Sequence, residues 1–183
     1  AWPQPFVGFD NAAAMADLAR RVLALGHRRV AMIAGVTASN DRATERVEGF
    51  RTALREAGLD PLSAPVVEAP YGIREGGEAF DALMRRDPRA TAVLCGNDVL
   101  AAGAVARARQ AGLRVPEDVS VTGFDDIDIS LVVEPRLTTV HVPHRRMGAA
   151  AARLLLALRE GEPCADVRLE TTFVAGASLG PAP

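Results

Sequence analysis

An α/β fold, with a doubly wound parallel sheet covered by helices on both faces, is what this sequence predicts, and three observations carry the prediction. Four short apolar runs recur along the chain: Arg29–Gly35, Ala64–Ala69, Thr91–Cys95 and Val119–Gly123. They are continuous rather than alternating, as strands buried on both faces are. Amphipathic stretches of helical length separate them, and Gly26, Gly58 and Gly112 stop three of those stretches where a left-handed C-terminal residue is expected.

Taken in order, Phe6–Phe9 reads as a strand and Ala12–Leu25 as a helix ending at Gly26. After the first apolar run, Asp41–Ala57 sets Val47, Phe50 and Leu54 on one stripe. Arg74–Arg86 does the same with Ala79, Phe80 and Leu83, and Asp98–Ala111 is an alanine-rich helix with small packing surfaces. The segments Ala57-Gly58-Leu59 and Ala111-Gly112-Leu113 each lead through a proline-containing link into a strand. The alternation of helix and strand gives a parallel sheet with right-handed crossovers. After Pro143 a long helix, His144–Arg159, carries Met147, Leu154, Leu155 and Leu158, and Asp166–Ala175 reads as one or two further strands. These terminal pieces are too few for a sheet of their own. They read as parts of a second lobe, and the sequence as a segment of a longer chain.

The 183 residues are 49% apolar, 24% charged and 4% aromatic, enough for one domain, or one domain and part of another, with its own core. All 21 basic residues are arginine, which excludes Schiff-base chemistry, a P-loop lysine and a lysine general base. The net charge is −2 and no basic stripe exists, so this stretch is not expected to bind nucleic acid by itself. No apolar run approaches the roughly 18 residues of a membrane span. The start, Ala1-Trp2-Pro3-Gln4-Pro5, has neither the basic head nor the apolar core of a signal peptide. Cys95 and Cys164 match no metal or redox spacing, and Cys95 reads as an inert buried thiol.

Open parallel sheets bind ligands beyond the carboxyl ends of their strands. That rule gathers Thr37–Asp41, Arg42 and Arg46 after the first run, and Tyr71, the only tyrosine, after the second. After the third come Asn97 and Asp98, and after the fourth Phe124, Asp125, Asp126 and Asp128. Arginine, an amide, carboxylates and an aromatic ring on one rim suit a small polyhydroxylated or heterocyclic ligand. Each has a plainer reading: Asn97 as a helix cap, Asp125 as a turn residue, Tyr71 as an edge-of-core ring, Arg42 and Arg46 as solvated charges. Cations in a helix's opening turns, however, oppose its dipole by roughly 0.3–1 kcal/mol, which favours an anion or ligand beside them.

Several motifs mislead. Gly176-Ala177-Ser178-Leu179-Gly180 fits G-x-S-x-G but lacks the following helix and histidine of a nucleophile elbow. His141 and His144 flank Pro143 without a third metal ligand, and Asp126 and Asp128 lack the rest of a calcium loop. There is no G-x-G-x-x-G, so no dinucleotide cofactor is expected.

Longer blocks resemble the effector-binding domain of lactose/galactose-repressor-type transcription regulators. They are Leu25-Gly26-His27-Arg28-Arg29-Val30-Ala31, Ile33-Ala34-Gly35, Arg46-Val47-Glu48-Gly49-Phe50, Cys95-Gly96-Asn97-Asp98 and Val115–Val121. Most specific are Gly123-Phe124-Asp125-Asp126-Ile127 and Pro135-Arg136-Leu137-Thr138-Thr139-Val140. The resemblance implies two α/β lobes of periplasmic-binding-protein type I joined by three crossing strands, with an effector between them. Residues 1–10 would be a remnant of the N-terminal lobe, 11–139 the C-terminal lobe, 140–168 a return helix and strand of the N-terminal lobe, and 169–183 a crossing and tail. It implies that Arg46 grips effector hydroxyls or carboxylate, Asp125 accepts from a sugar hydroxyl, Asn97 and Tyr71 contact and stack on the ligand, and Asn40 lies near another contact. It also implies no catalysis, no cofactor and no membrane, a cytoplasmic homodimer with a seam along Asp98–Ala111, Tyr71–Arg74 and Ile129–Val133, and operator DNA held through a helix-turn-helix that these residues lack. Gly176-Ala177-Ser178 departs from the family, which carries a basic residue just before the Ser/Thr. A periplasmic sugar-binding transport component is the alternative, and a hydrolase using Ser178 a third reading.

Overall fold

The computed structural model describes residues 5–183; Ala1–Gln4, and with them most of the segment judged not to be a signal peptide, lie outside the described residues. In chain order the elements are β1 (Val7–Gly8), α1 (Asn11–Ala24), β2 (Val30–Gly35), α2 (Asp41–Glu56), β3 (Val66–Ala69), α3 (Ile73–Met84) and β4 (Ala92–Cys95). They continue as α4 (Asp98–Gln110), β5 (Ser120–Thr122), α5 (Ile129–Val132), β6 (Thr139–His141), α6 (His144–Arg159), β7 (Val167–Arg168) and β8 (Thr172–Val174). The four apolar runs are β2 to β5, and they form one all-parallel sheet in the order β3-β2-β4-β5.

Residues alternate between the two faces along each strand, and both faces are covered. Val30, Met32 and Ala34 of β2 pack with Leu18, Val22, Phe50 and Leu54 of α1 and α2. Ala31 and Ile33 pack with Phe80, Leu83, Leu100 and Val105 of α3 and α4. Double coverage is why these strands read as continuous apolar runs. The helices are bounded as their sequences specify. Asp10, Asn40 and Asn97 accept from backbone N–H groups of the first turns of α1, α2 and α4. Gly26, Gly58 and Gly112 follow α1, α2 and α4 with φ of 93°, 71° and 75°, a region open to glycine.

The outer pieces form two small sheets. β1 pairs in parallel with β7, and β6 pairs antiparallel with β8. α6 buries none of its residues, and Leu155, Leu156 and Leu158 of its apolar set are exposed. The tail runs back onto the main sheet. Val121 N–H donates to Ser178 O at 2.8 Å, and Gly180 N–H to Ser120 Oγ at 3.1 Å. The fully buried ring of His27 bridges Thr91 Oγ1 at 2.9 Å and Gly180 O at 3.0 Å. Glycine stands at 176 because a Cβ there would collide with the backbone of Arg136 and Leu137.

β2 leads through α2 to β3 on one side, while β4 lies on its other side and leads to β5. The strand order therefore reverses at the β2–β4 seam, and in open α/β sheets that switch point marks the ligand crevice, beyond the carboxyl ends of the two strands. Gly35 and Gly96 form its floor, with Gly96 N–H donating to Ile33 O at 2.7 Å.

Candidate functional site

Arg46 is the hub of that crevice. It sits in the second turn of α2, only 7% exposed. Nε donates to Asn11 Oδ1 at 3.0 Å, Nη1 to the Gly96 carbonyl at 2.6 Å, and Nη2 to Asp125 Oδ1 at 3.2 Å. The guanidinium lies over the Phe124 ring, 3.9 Å from its centroid. Burial pulls the Arg46 pKa down, opposed chiefly by the Asp125 charge. Burial likewise pushes Asp125 up, opposed first by Arg46. Each charge is held in place by the other against the cost of desolvation.

Asp125 occupies a left-handed backbone position, φ 103°, which non-glycine residues seldom adopt. Its own N–H donates to Val140 O at 2.9 Å, and its carbonyl accepts from Val142 N–H at 3.3 Å, so β6 and the segment after it fix this backbone on the crevice side. Asp98 supports the same loop. Fully buried, it accepts from Thr139 Oγ1 at 2.6 Å and from Ile127 N–H at 2.9 Å, while its own N–H donates to Phe124 O at 2.9 Å. Burial raises its pKa from 3.8 to about 6. Gly123 must be glycine, since a Cβ would land on the Asp98 carboxylate.

The remaining rim residues lie around this hub. Asn97 is the α4 cap, its Oδ1 accepting from Leu100 N–H at 2.9 Å. Its amide nitrogen is left as the group it can offer a ligand. The Tyr71 hydroxyl lies over the α-carbon of Gly35, so closely that a Cβ there would strike it. Tyr71 is 48% exposed, so much of its ring remains open to a ligand. Arg46 is not a solvated charge. Asn40 caps α2 through Ala43 N–H at 3.2 Å. Arg42 is exposed, one helical turn before Arg46, and its charge is felt at both Arg46 and Asp125.

Arg46, Asp125, Asn97 and Tyr71 thus meet around Gly35 and Gly96, while Asn40 stands at the α2 end of the rim. Sequence reasoning missed the part played by Asn11. It is buried between Arg46 and Glu45, to whose Oε2 it donates at 3.1 Å, and the Asp10-Asn11 pair signals only a helix start. It also missed the Gly96 carbonyl, because backbone acceptors leave no residue signature.

The misleading motifs have ordinary places. The buried Ser178 hydroxyl accepts from Thr138 N–H and donates to Val121 O. His141 pairs with Asp126 at 2.9 Å, and no group of three metal-ligating side chains occurs among the described residues. Cys95 is fully buried, and burial raises its thiol pKa. A crevice with a flat guanidinium, a carboxylate, a free amide donor and an open phenol ring can bind a polyhydroxylated ring, donating to and accepting from adjacent hydroxyls while the ring face stacks.

Comparison with known proteins agrees with this architecture. Residues 19–179 match the family model described as periplasmic binding protein-like domain. The HTH-type transcriptional regulator GntR of Escherichia coli K12 is 36% identical over 167 residues, which cover 91% of this chain and 50% of that protein. Among solved structures, the transcriptional regulator CelR in complex with cellobiose superposes with a TM-score of 0.90 and 33% identity, over 96% of this chain and 54% of that one. A LacI family transcriptional regulator from Enterococcus faecium with bound ribose gives a TM-score of 0.89 at 26% identity, over 98% of this chain and 66% of that one. The chain spans about half the length of the curated relatives it matches.

Proposed function

Because this chain belongs to the periplasmic binding protein-like domain family, with LacI-family transcriptional regulators as its relatives, we propose that it is the ligand-sensing part of a DNA-binding transcriptional regulator. Its effector is a small sugar-like molecule. The observation that carries the proposal is Arg46, a buried guanidinium fixed by Asn11, Gly96 and Asp125 at the strand-order reversal.

In this reading Arg46 and Asp125 hold vicinal hydroxyls, Asn97 donates its amide, Tyr71 stacks on the ring, and Asn40 lies at the edge of the site. Residues 11–139 form one wall of the cleft. Residues 5–10 and 140–168, with β1 and β7 paired and α6 exposing its leucines, belong to the opposite lobe. Effector binding favours one arrangement of the lobes and so changes how a dimer presents DNA-reading heads. Asp125 is well placed to transmit this, because its backbone is bonded to Val140 and Val142. The protein performs no chemistry. The cited relative and the two cited structural neighbours are regulators, which supports this reading over a transport component; no helix among the described residues is long and apolar enough to cross a membrane.

A thermal-shift screen of sugars and nucleobases on the full-length protein tests the proposal. At least one sugar raises the melting temperature of the wild type, and Asp125→Ala loses that shift. Equal shifts in both proteins would put the site elsewhere.

A further inference from the structure

Beyond the carboxyl end of β5, two residues in succession hold left-handed backbone. Asp125 has φ 103° and Asp126 φ 55°. Residues other than glycine keep such angles where their surroundings impose them. Backbone contacts supply part of that. Asp125 and His141 form a short parallel bridge, with Asp125 N–H on Val140 O at 2.9 Å and Val142 N–H on Asp125 O at 3.3 Å. On the other side of the turn, Ile127 N–H donates to Asp98 Oδ2 at 2.9 Å.

The side chain of Asp126 supplies the rest. Its Oδ2 meets His141 Nδ1 on β6 at 2.9 Å, and its Oδ1 accepts from Ser130 Oγ on α5 at 3.3 Å. A carboxylate only accepts, so the hydrogen of this contact sits on His141 Nδ1. Ser130 is buried, and the Asp126 side chain is mostly shielded from water. One carboxylate therefore pins the turn to the two elements that flank it. The residue just before it is the carboxylate that holds Arg46 in the crevice.

We infer that Asp126 is a positioning residue for effector binding: through His141 and Ser130 it clamps the left-handed turn that presents Asp125 to the crevice. This rests on the reading of the crevice as an effector site, and adds a residue outside that site on which it depends.

The clamp is separable from the mere filling of a left-handed position. Glycine adopts φ 55° without strain, so Asp126→Gly removes the carboxylate and leaves the backbone at ease. Asp126→Asn keeps an oxygen for His141 Nδ1–H and an amide for the Ser130 hydroxyl, which can accept as well as donate, and asparagine tolerates the left-handed region. His141→Phe removes the donor alone.

Hydrogen–deuterium exchange of the full-length protein, read by mass spectrometry, tests the inference. In Asp126→Gly and His141→Phe the peptide over residues 124–130 exchanges about tenfold faster than in the wild type, while α1 keeps its wild-type exchange; Asp126→Asn stays within about threefold. Wild-type exchange of that peptide in Asp126→Gly and His141→Phe overturns the inference, as does acceleration that spreads equally over α1 or that Asp126→Asn shares. Thermal shifts with glucose, galactose and ribose extend the test to binding. Any of these sugars whose shift Asp125→Ala abolishes also loses it in Asp126→Gly and keeps it in Asp126→Asn. A shift that needs Asp125 but survives Asp126→Gly overturns the inference. Shifts indifferent to Asp125 overturn the effector reading alone, because the exchange measurement uses no ligand.

Discussion

A guanidinium taken out of water must find acceptors in the fold, and Arg46 finds three on three different segments: Asn11, Gly96 and Asp125. The buried carboxylate of Asp98 completes the local design by tying the Asp125 loop to β6. Its raised pKa makes a prediction. Between about pH 4 and 6 the folded protein keeps a proton that the unfolded chain releases, so the stability contributed by protonated Asp98 is full below pH 4 and is lost as pH rises through about 6. Asp98→Asn can still accept from Ile127 N–H and donate to Thr139 Oγ1 without carrying charge. In urea melts its stability relative to wild type is expected to rise by on the order of 2–3 kcal/mol from pH 4 to pH 8. A flat difference would mean that Asp98 is not kept protonated by burial. At this scale the sequence shows which side chains share the rim, because any parallel sheet brings its strand ends together. It does not show that Asn97 would spend its oxygen on a cap, or that Asn11 and a backbone carbonyl would complete the Arg46 shell.

At the scale of elements, the two helix layers owe their closeness to glycine. A Cβ on Gly49 would strike the Ala12 carbonyl where α1 meets α2, and one on Gly103 would strike the Ile73 carbonyl where α4 meets α3. Gly103→Ala gains helix propensity, but the α3–α4 pair must spread to admit the methyl group. The net loss is about 1–3 kcal/mol by chemical denaturation; a stabilised variant would show that the pair tolerates wider spacing. None of these helical glycines stands out in the sequence, where only the C-terminal stops Gly26, Gly58 and Gly112 do. The central strands were readable because β2, β4 and β5 are buried on both faces, while the edge strand β3 is only partly covered. By contrast β1 and β7 are two residues each and pair across the length of the chain, Val7 with Val167, so no local pattern specifies their register.

For the whole molecule, the apolar surface that remains is informative. Leu131 and Val132 of α5 are 58% and 79% exposed, with Ile73 also exposed at the start of α3. In the proposed homodimer a second copy of the chain covers this surface. Leu131→Asp in the full-length protein then yields a monomer in sedimentation equilibrium at concentrations where the wild type is dimeric; an unchanged mass places the seam elsewhere.

The account stands on Arg46 and Asp125 acting together on a ligand. A double-mutant cycle of Arg46→Ala and Asp125→Ala, titrated calorimetrically with the sugar that stabilises the wild type, tests this most directly. Each variant is predicted to weaken binding by about 1–3 kcal/mol, and the double variant by less than the sum, since both act on the same bound group. Wild-type affinity in both single variants would contradict it.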